Sequence, residues 1–213
     1  MVVTIDALAD NFFCPANKIG EGTYREVYQI SDSLFKVLKP FRSKSYGLFC
    51  IDFPMGRYTL LKFGIRDFNV YERDMYDKLI SAVPEEYHRN FSTIYETGYH
   101  NGRSISRCRL ISDSEGNISP SVAKYGQINN QHFWARLQEL EEMFVDIGFF
   151  PMDLKAENIL VGTNENYDPE PIFVDFKRVG ARTYPFQIWL QYRKKLIERM
   201  RTKFRRLRDN YRS

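Results

Sequence analysis

The stretch PMDLKAENILVG, residues 151–162, places Asp153, Lys155 and Asn158 inside an otherwise apolar run. Asp and Asn are common turn residues, so a turn leading into a strand is one explanation. The other is chemistry. An Asp followed by Leu, with a Lys two positions on and an Asn five positions on, fits the D-L-x-x-x-N arrangement of phosphoryl-transfer loops. In such loops the Asp accepts or orients the proton of the attacking hydroxyl, and the Asn holds a magnesium ion. Downstream, IFVDFKRVG sets Asp175 at the end of an apolar run with Phe176 behind it, where a carboxylate can bind the magnesium that bridges ATP phosphates. Asp153, Asn158 and Asp175 then form one magnesium-phosphate site.

Two further features lie upstream. IGEGTYREVY supplies Gly20 and Gly22 between two β-rich runs, either as a tight turn or as a loop whose bare backbone N–H groups can approach phosphates. In SLFKVLK, Lys36 shares a strand face with Leu34 and Leu38, so its ammonium sits over a semi-buried surface and needs an anionic partner. Lys39 points the other way, at the strand end, and is the weaker candidate. Glu72 lies among Phe68, Tyr71, Met75, Tyr76 and Leu79 and is either that partner or an exposed carboxylate beside Arg73. Gly20 precedes Lys36 by 16 positions, room for one hairpin, and Asn158 precedes Asp175 by 17, room for two short strands and a turn.

The elements that must position these residues follow from periodicity. A hairpin turning at Asp32-Ser33 is followed by a helix over RDFNVYERDMYDKLISAV, closed by Pro84, and by a second hairpin around HNGR. DSEGNISPS reads as a loop. NNQHFWARLQELEEMFVDIGFF reads as a helix capped by Asn129 or Asn130, with Phe133, Trp134, Leu137, Leu140, Phe144 and Val145 inward. The loop carrying Asp153, a short strand pair and a long basic helix from about Pro185 complete the order. Trp189, Leu196, Met200, Phe204, Leu207 and Tyr211 form that helix's apolar side. The class is α+β, with a β-rich front and a helical back.

Composition narrows the alternatives. A chain of 213 residues with 43% hydrophobic and 27% charged residues is ordinary for a globular protein. The start lacks a signal-peptide pattern and no apolar run reaches membrane-spanning length, which implies a cytoplasmic chain with no transmembrane segment. Cys14, Cys50 and Cys108 are scattered, as are His88, His100 and His132, so neither a disulfide framework nor a zinc site is expected. The net charge of +4 is uneven: from Arg193 onward ten Lys/Arg face Glu198 and Asp209, a balance of +8 that leaves residues 1–192 at −4.

Taken in this order, the motifs resemble the protein-kinase-like superfamily from about Lys18 to Gly180, and within it the small bacterial YrbL-type proteins of the PhoP regulatory network. GIRDFNVYERDMYDKL, LISDSEGNIS, DLKAENIL and the basic aromatic helix after VDFKRVG add to that similarity. The resemblance implies a two-lobed fold. Residues 1–113 form an ATP-binding N-lobe and hinge, and residues 114–213 a reduced C-lobe with the catalytic loop and basic helix. It also implies ATP and magnesium as cofactors, with the hinge near Leu110 to Asp113, Ile111 included, facing adenine. Carried over, Lys36 contacts the α/β-phosphates, Glu72 anchors Lys36, Asp153 is the catalytic base, Lys155 neutralises the γ-phosphate, and Asn158 and Asp175 bind magnesium.

The chain also departs from the pattern. Arg25 replaces the third glycine and either reaches a phosphate or stays a solvated hairpin charge. Pro151-Met152 replaces His-Arg, which removes the usual link to an activation-loop phosphate, and Lys177 replaces the Gly of D-F-G. Only 38 residues follow Asp175, with no A-P-E, so no ordinary peptide-docking platform is expected. The acceptor is left open among a small molecule, an envelope sugar and the protein itself. Two other functions stay open: a pseudokinase that senses nucleotide, and an adaptor that uses the basic C-terminal helix to bind an anionic partner such as membrane or nucleic acid. That helix is otherwise a packing element with its charges solvated.

Overall fold

The computed structural model describes residues 4–22, 25–39, 67–113, 115–149, 154–164, 166–176 and 193–213. They belong to two compact units, Met1–Arg73 with Ile94–Arg109, and Asp74–Thr93 with Leu110–Ser213. The predicted α+β class is the one observed.

In the first unit, β1 (Lys18–Glu21), β2 (Arg25–Ile30), β3 (Ser33–Leu38), β4 (Ile94–His100) and β5 (Arg103–Arg109) form one antiparallel sheet in the order β1-β2-β3-β5-β4. Tight connections explain the neighbours. Ser31, at φ +53°, turns β2 into β3, so Ser33 already pairs with Ile30 and the turn sits one residue earlier than expected. Asn101 and Gly102, at φ +49° and +71°, form the two-residue turn between β4 and β5 that a primed hairpin requires.

Alternation then divides the sheet into two faces. Tyr28, Ile30, Phe35, Val37 and Ile105 make one apolar layer, covered by Ile5 and Leu8 from the N-terminal turns with Phe12 and Phe13 packed against it. The opposite parity carries Arg25, Val27, Lys36, Ser104, Ser106 and Cys108. Helix α1 (Phe68–Ile80) bonds to this second face: Asn69 Nδ2 donates to Ser104 Oγ at 3.0 Å and to the Lys36 carbonyl at 3.3 Å. Asp67 caps the helix, accepting from the Asn69 and Val70 amides at 2.8 and 3.3 Å.

The second unit is built on rings. Phe173 stacks on Phe91 at 5.8 Å and meets Phe144 edge-on at 5.6 Å, and Phe204 lies 6.5 Å from both Phe144 and Phe173. A short helix α2 (Val122–Tyr125) precedes α3 (Gln131–Ile147). The Asn130 side chain accepts from Phe133 N at the start of α3, and Gly148 ends it in the left-handed region. Val145, expected inside, is half-buried, while Glu141 and Met143 are buried. Glu141 is tolerated there because Arg208 Nη1 lies 2.7 Å from its carboxylate.

Arg208 belongs to α4 (Arg193–Tyr211), whose Met200, Phe204 and Leu207 are buried. Its arginines also meet Glu142, through Arg201 at 3.0 Å, and its last turn accepts a bond from Ile128 N at 2.7 Å. The packing role of the basic helix is therefore observed; Pro185 and Trp189 lie outside the described residues. No helix among the described residues is long and apolar enough to cross a membrane.

Strands β6 (Ile159–Thr163) and β7 (Pro169–Phe173) form a separate antiparallel pair. A Cβ at Gly162 would overlap Ile172 Cδ1 and lie 3.1 Å from Ile172 Cγ1 and 3.2 Å from Ile111 Cγ2. Gly162→Ala should therefore lower stability by about 1–3 kcal/mol, the range for overpacking a tight core. Ile172→Val, which removes the overlapping methyl, should recover part of it. Denaturant midpoints read both; an unchanged midpoint for Gly162→Ala would show that Ile172 simply moves aside.

A second expectation concerns the sheet edge. Glu26 accepts from Arg103 Nη2 at 2.7 Å and Lys18 Nζ at 3.2 Å, and the Arg103 bond, ahead of Lys18, holds its carboxyl below the ordinary value of 4.5. A depressed carboxylate stabilises the fold above its unfolded pKa and loses that contribution as pH falls through the folded one. Stability should thus decline from about pH 5 towards pH 3, and Glu26→Gln should flatten that acid limb.

Candidate functional site

The centre of the first unit is a carboxylate with no exposure to water. Glu72 is 0% exposed, and its Oε1 accepts from Lys36 Nζ at 2.8 Å. Its other oxygen, Oε2, accepts from Arg25 Nη1. The same Nη1 donates to Asn69 Oδ1 at 3.2 Å, and Asn69 is likewise 0% exposed. Two alternatives left open by the sequence are thereby decided. Glu72 is not an exposed carboxylate beside Arg73, and Arg25 is not a solvated charge, being 7% exposed.

Backbone register explains the arrangement. Arg25 lies opposite Leu38 and Val27 opposite Lys36, so Arg25 and Lys36 stand diagonally on one face of the β2–β3 ladder. Glu72 and Asn69 are one turn apart on α1 and face the same way. Beyond Asn69 the network continues through Ser104 Oγ, which donates to Asp67 Oδ1 at 2.8 Å. Cys108, on the same sheet face, is packing rather than a nucleophile. Burial pushes its thiol up, with Glu72 adding to the effect and Lys36 opposing it.

Lys39 pairs with Glu21 at the strand edge, as does Lys18 at 2.6 Å. The bonds from Lys18 and then Lys39 bring the Glu21 carboxyl down to about 2. The neighbouring glycines are not required by the packing. Gly20 and Gly22 lack a left-handed φ, and added Cβ atoms would approach no nearer than Val27 Cβ at 3.7 Å and Arg25 O at 3.9 Å.

In the second unit, Asn158 and Asp175 stand at the same end of the β6–β7 pair. Ile159 pairs with Phe173, and Val174 N donates to the Asn158 carbonyl at 3.0 Å, so the residues flanking this bond are neighbours. Asn158 closes a single 3₁₀ turn, Ala156–Asn158, with Leu154 and Ala156 buried beneath it. Asp175 has φ +69°, an uncommon conformation for a side-chain-bearing residue and one that clusters at functional sites. Phe176 is 2% exposed and packs 5.2 Å from Tyr76 and 6.3 Å from Phe91, which anchors the segment immediately after Asp175. Lys155 is exposed. Asp153 lies outside the described residues.

Ile111, assigned to an adenine-facing hinge, has its side chain buried, and its carbonyl accepts from Ser119 N at 2.9 Å. Asp113 folds the following loop by accepting from Glu115 N and Asn117 N, each at 2.9 Å. Among the described residues no group of three His, Cys, Asp or Glu could hold a metal. Asn158 and Asp175 instead offer an amide and a carboxylate oxygen, hard donors of the kind magnesium takes alongside phosphate and water.

Sequence reasoning missed the inward role of Arg25 and the whole of Asn69 and Ser104. Strand parity carried a signal for Arg25, since it alternates in phase with Val27, the residue facing Lys36. Nothing local marked Asn69, whose role exists only where α1 meets the sheet.

Neither a family model nor a curated protein matches the chain. Solved structures do. The crystal structure of the BubR1 kinase domain matches with a TM-score of 0.50 at 15% identity, covering 80% of this chain and 48% of that one. The crystal structure of the PF14_0431 kinase domain matches with a TM-score of 0.46 at 14% identity, covering 76% and 50%. The match to the BubR1 kinase domain shows a kinase-like fold, and the chain spans about half the length of those two.

Glu72→Gln should be strongly destabilising, by about 3–5 kcal/mol, because it removes the anion between two partly or fully buried cations. Urea unfolding reads this directly; a loss below about 1 kcal/mol, the surface-pair range, would mean that the triad is solvated in solution.

Proposed function

We propose that the chain binds ATP with magnesium and transfers the terminal phosphoryl group to a hydroxyl acceptor, and that it belongs with the YrbL-type kinase-like proteins. The observation that carries this is the Lys36–Glu72 ion pair, 2.8 Å long, with Glu72 fully buried and Lys36 partly open to water, within the fold of a protein kinase domain. Active protein kinases require such a pair between the third strand and the helix that follows. Glycines at 20 and 22 that the packing does not demand fit a backbone left bare for phosphates.

On this reading Lys36 neutralises the α/β-phosphates and Glu72 keeps its ammonium charged and oriented. Asn158 and Asp175 hold magnesium, which when bound draws charge from the phosphate oxygens. Lys155, an exposed cation, offsets charge on the γ-phosphate. Asp153 takes the proton from the acceptor hydroxyl as its oxygen bonds to the γ-phosphorus and the bond from that phosphorus to the bridging oxygen breaks, leaving ADP. The backbone around Ile111 meets adenine. The acceptor is a small molecule, an envelope sugar or a hydroxyl of the chain itself.

Calorimetric titration of ATP with and without magnesium, with ADP release followed in the same samples, tests the proposal. Magnesium-dependent binding should disappear in Asp175→Ala, and ADP release should fall by about 100-fold or more in Asp153→Asn, the usual loss on removing a general base. Absence of ATP binding to the wild-type chain would overturn the reading. Binding without any ADP release, tested with a panel of hydroxyl acceptors, would reduce it to a nucleotide-sensing module.

A further inference from the structure

The position at which a phosphate loop usually has its third glycine is Arg25, and its side chain turns toward α1. A carboxylate bonded at one oxygen can pivot; one bonded at both is fixed in plane and direction. Glu72 is held at both, by Lys36 on Oε1 and Arg25 on Oε2. Arg25 Nη1 also engages Asn69, so a single guanidinium nitrogen ties two successive turns of α1 to β2. The backbone of Arg25 is itself fixed by its ladder position opposite Leu38.

The consequence lies in what α1 can do. Moving the helix away from the sheet would strip a buried carboxylate and a guanidinium that is 7% exposed of their mutual bond, along with the bonds of Asn69 to Ser104 and the Lys36 carbonyl. In protein kinases generally, the Lys–Glu pair must be assembled, and signals that control helix position act on that step. Here the chain also has Pro151-Met152 where the phosphate-sensing His-Arg would stand.

We infer that Arg25 is a positioning residue that clamps Glu72, and through it Lys36, in the phosphate-binding arrangement without an external signal. This rests on the nucleotide-binding reading above. Arg25 acts through Glu72 rather than by touching nucleotide, so its loss should affect ligands that carry α/β-phosphates and spare those that do not. Lysine at this position restores a charge but not the planar guanidinium whose Nη1 is aimed at Glu72 and Asn69, so its rescue should be partial.

The test measures dissociation constants of magnesium-ATP and of adenosine for wild type, Arg25→Gln, Arg25→Lys and Asn69→Leu, together with hydrogen exchange of the α1 amides. Arg25→Gln should weaken magnesium-ATP about tenfold, the low end of what partners of a ligating group cost, with adenosine affinity unchanged. Arg25→Lys should recover part of the loss, and Asn69→Leu should show the same split to a smaller extent. Equal ATP affinity in Arg25→Gln and wild type overturns the clamp, as does a parallel fall in ATP and adenosine affinity in a folded Arg25→Gln.

Should Arg25→Gln fail to fold, Asn69→Leu and Arg25→Lys decide on the same ATP-to-adenosine ratio, and an unchanged ratio in both overturns the clamp. If wild type binds no nucleotide, the functional proposal fails by itself. The clamp is then read from exchange alone. Faster exchange in the first two turns of α1 in Arg25→Gln, slowed again in Arg25→Lys, supports it, and unchanged exchange overturns it.

Discussion

Glu72 is the constraint from which the first unit is organised. A carboxylate with no exposure is costly unless both oxygens are bonded and its charge is compensated, and Lys36 and Arg25 do this from two adjacent strands. Satisfying it fixes the register of β2 against β3. A slip of one residue would turn Lys36 onto the layer formed by Tyr28, Phe35 and Val37 and bring Phe35 out. It also fixes the rotation of α1, because Asn69 and Glu72 must face the sheet together. Asp67 sets where that helix begins and is bonded in turn to Ser104 and Tyr99 of the neighbouring hairpin.

The second unit meets a different demand. Asn158 and Asp175 stand on backbone that needs support, since one lies in a single 3₁₀ turn and the other has an unfavourable φ. Strain of that kind persists only where the surroundings over-determine it. The Val174–Asn158 bond, the Ile159–Phe173 pairing and the burial of Phe176 supply that determination. The cluster of Phe91, Phe144, Phe173 and Phe204 lies behind, so α4 contributes to the same core that supports the Asp175 segment. Its charges are partly used within the fold, with Arg208 neutralising the buried Glu141.

Fold likeness to kinase domains at 15% identity establishes architecture and leaves chemistry to the residues. The chain also departs from the common kinase pattern at points the residues make plain: Arg25 for the third glycine, Pro151-Met152 for His-Arg and Lys177 for the glycine after Phe176. At the first of these, the side chain that fills the glycine position is built into the ion-pair network.

The sequence by itself determined the local elements and the chemical types. Period-two alternation placed Lys36 on the half-buried face of β3, three- and four-residue spacing outlined α1, α3 and the apolar side of α4, and the spacing of Asn158 and Asp175 left room for the short strand pair found there. These properties are local, so neighbouring residues encode them. Which charges meet was decided by tertiary structure alone. Glu72 is 47 positions from Arg25 and 36 from Lys36, and before folding its helix position fits a surface carboxylate as well as a buried one. Asn69 lies in the first turn of α1, and its bonds to Ser104 and the Lys36 carbonyl exist only where the sheet supplies them. The left-handed conformation of Asp175 was equally hidden, because it goes with the packing of Phe176 and the end of β7, which form only in the folded chain. Periodicity records which side of an element is wet or dry; partners across an interface depend on docking that no single segment contains.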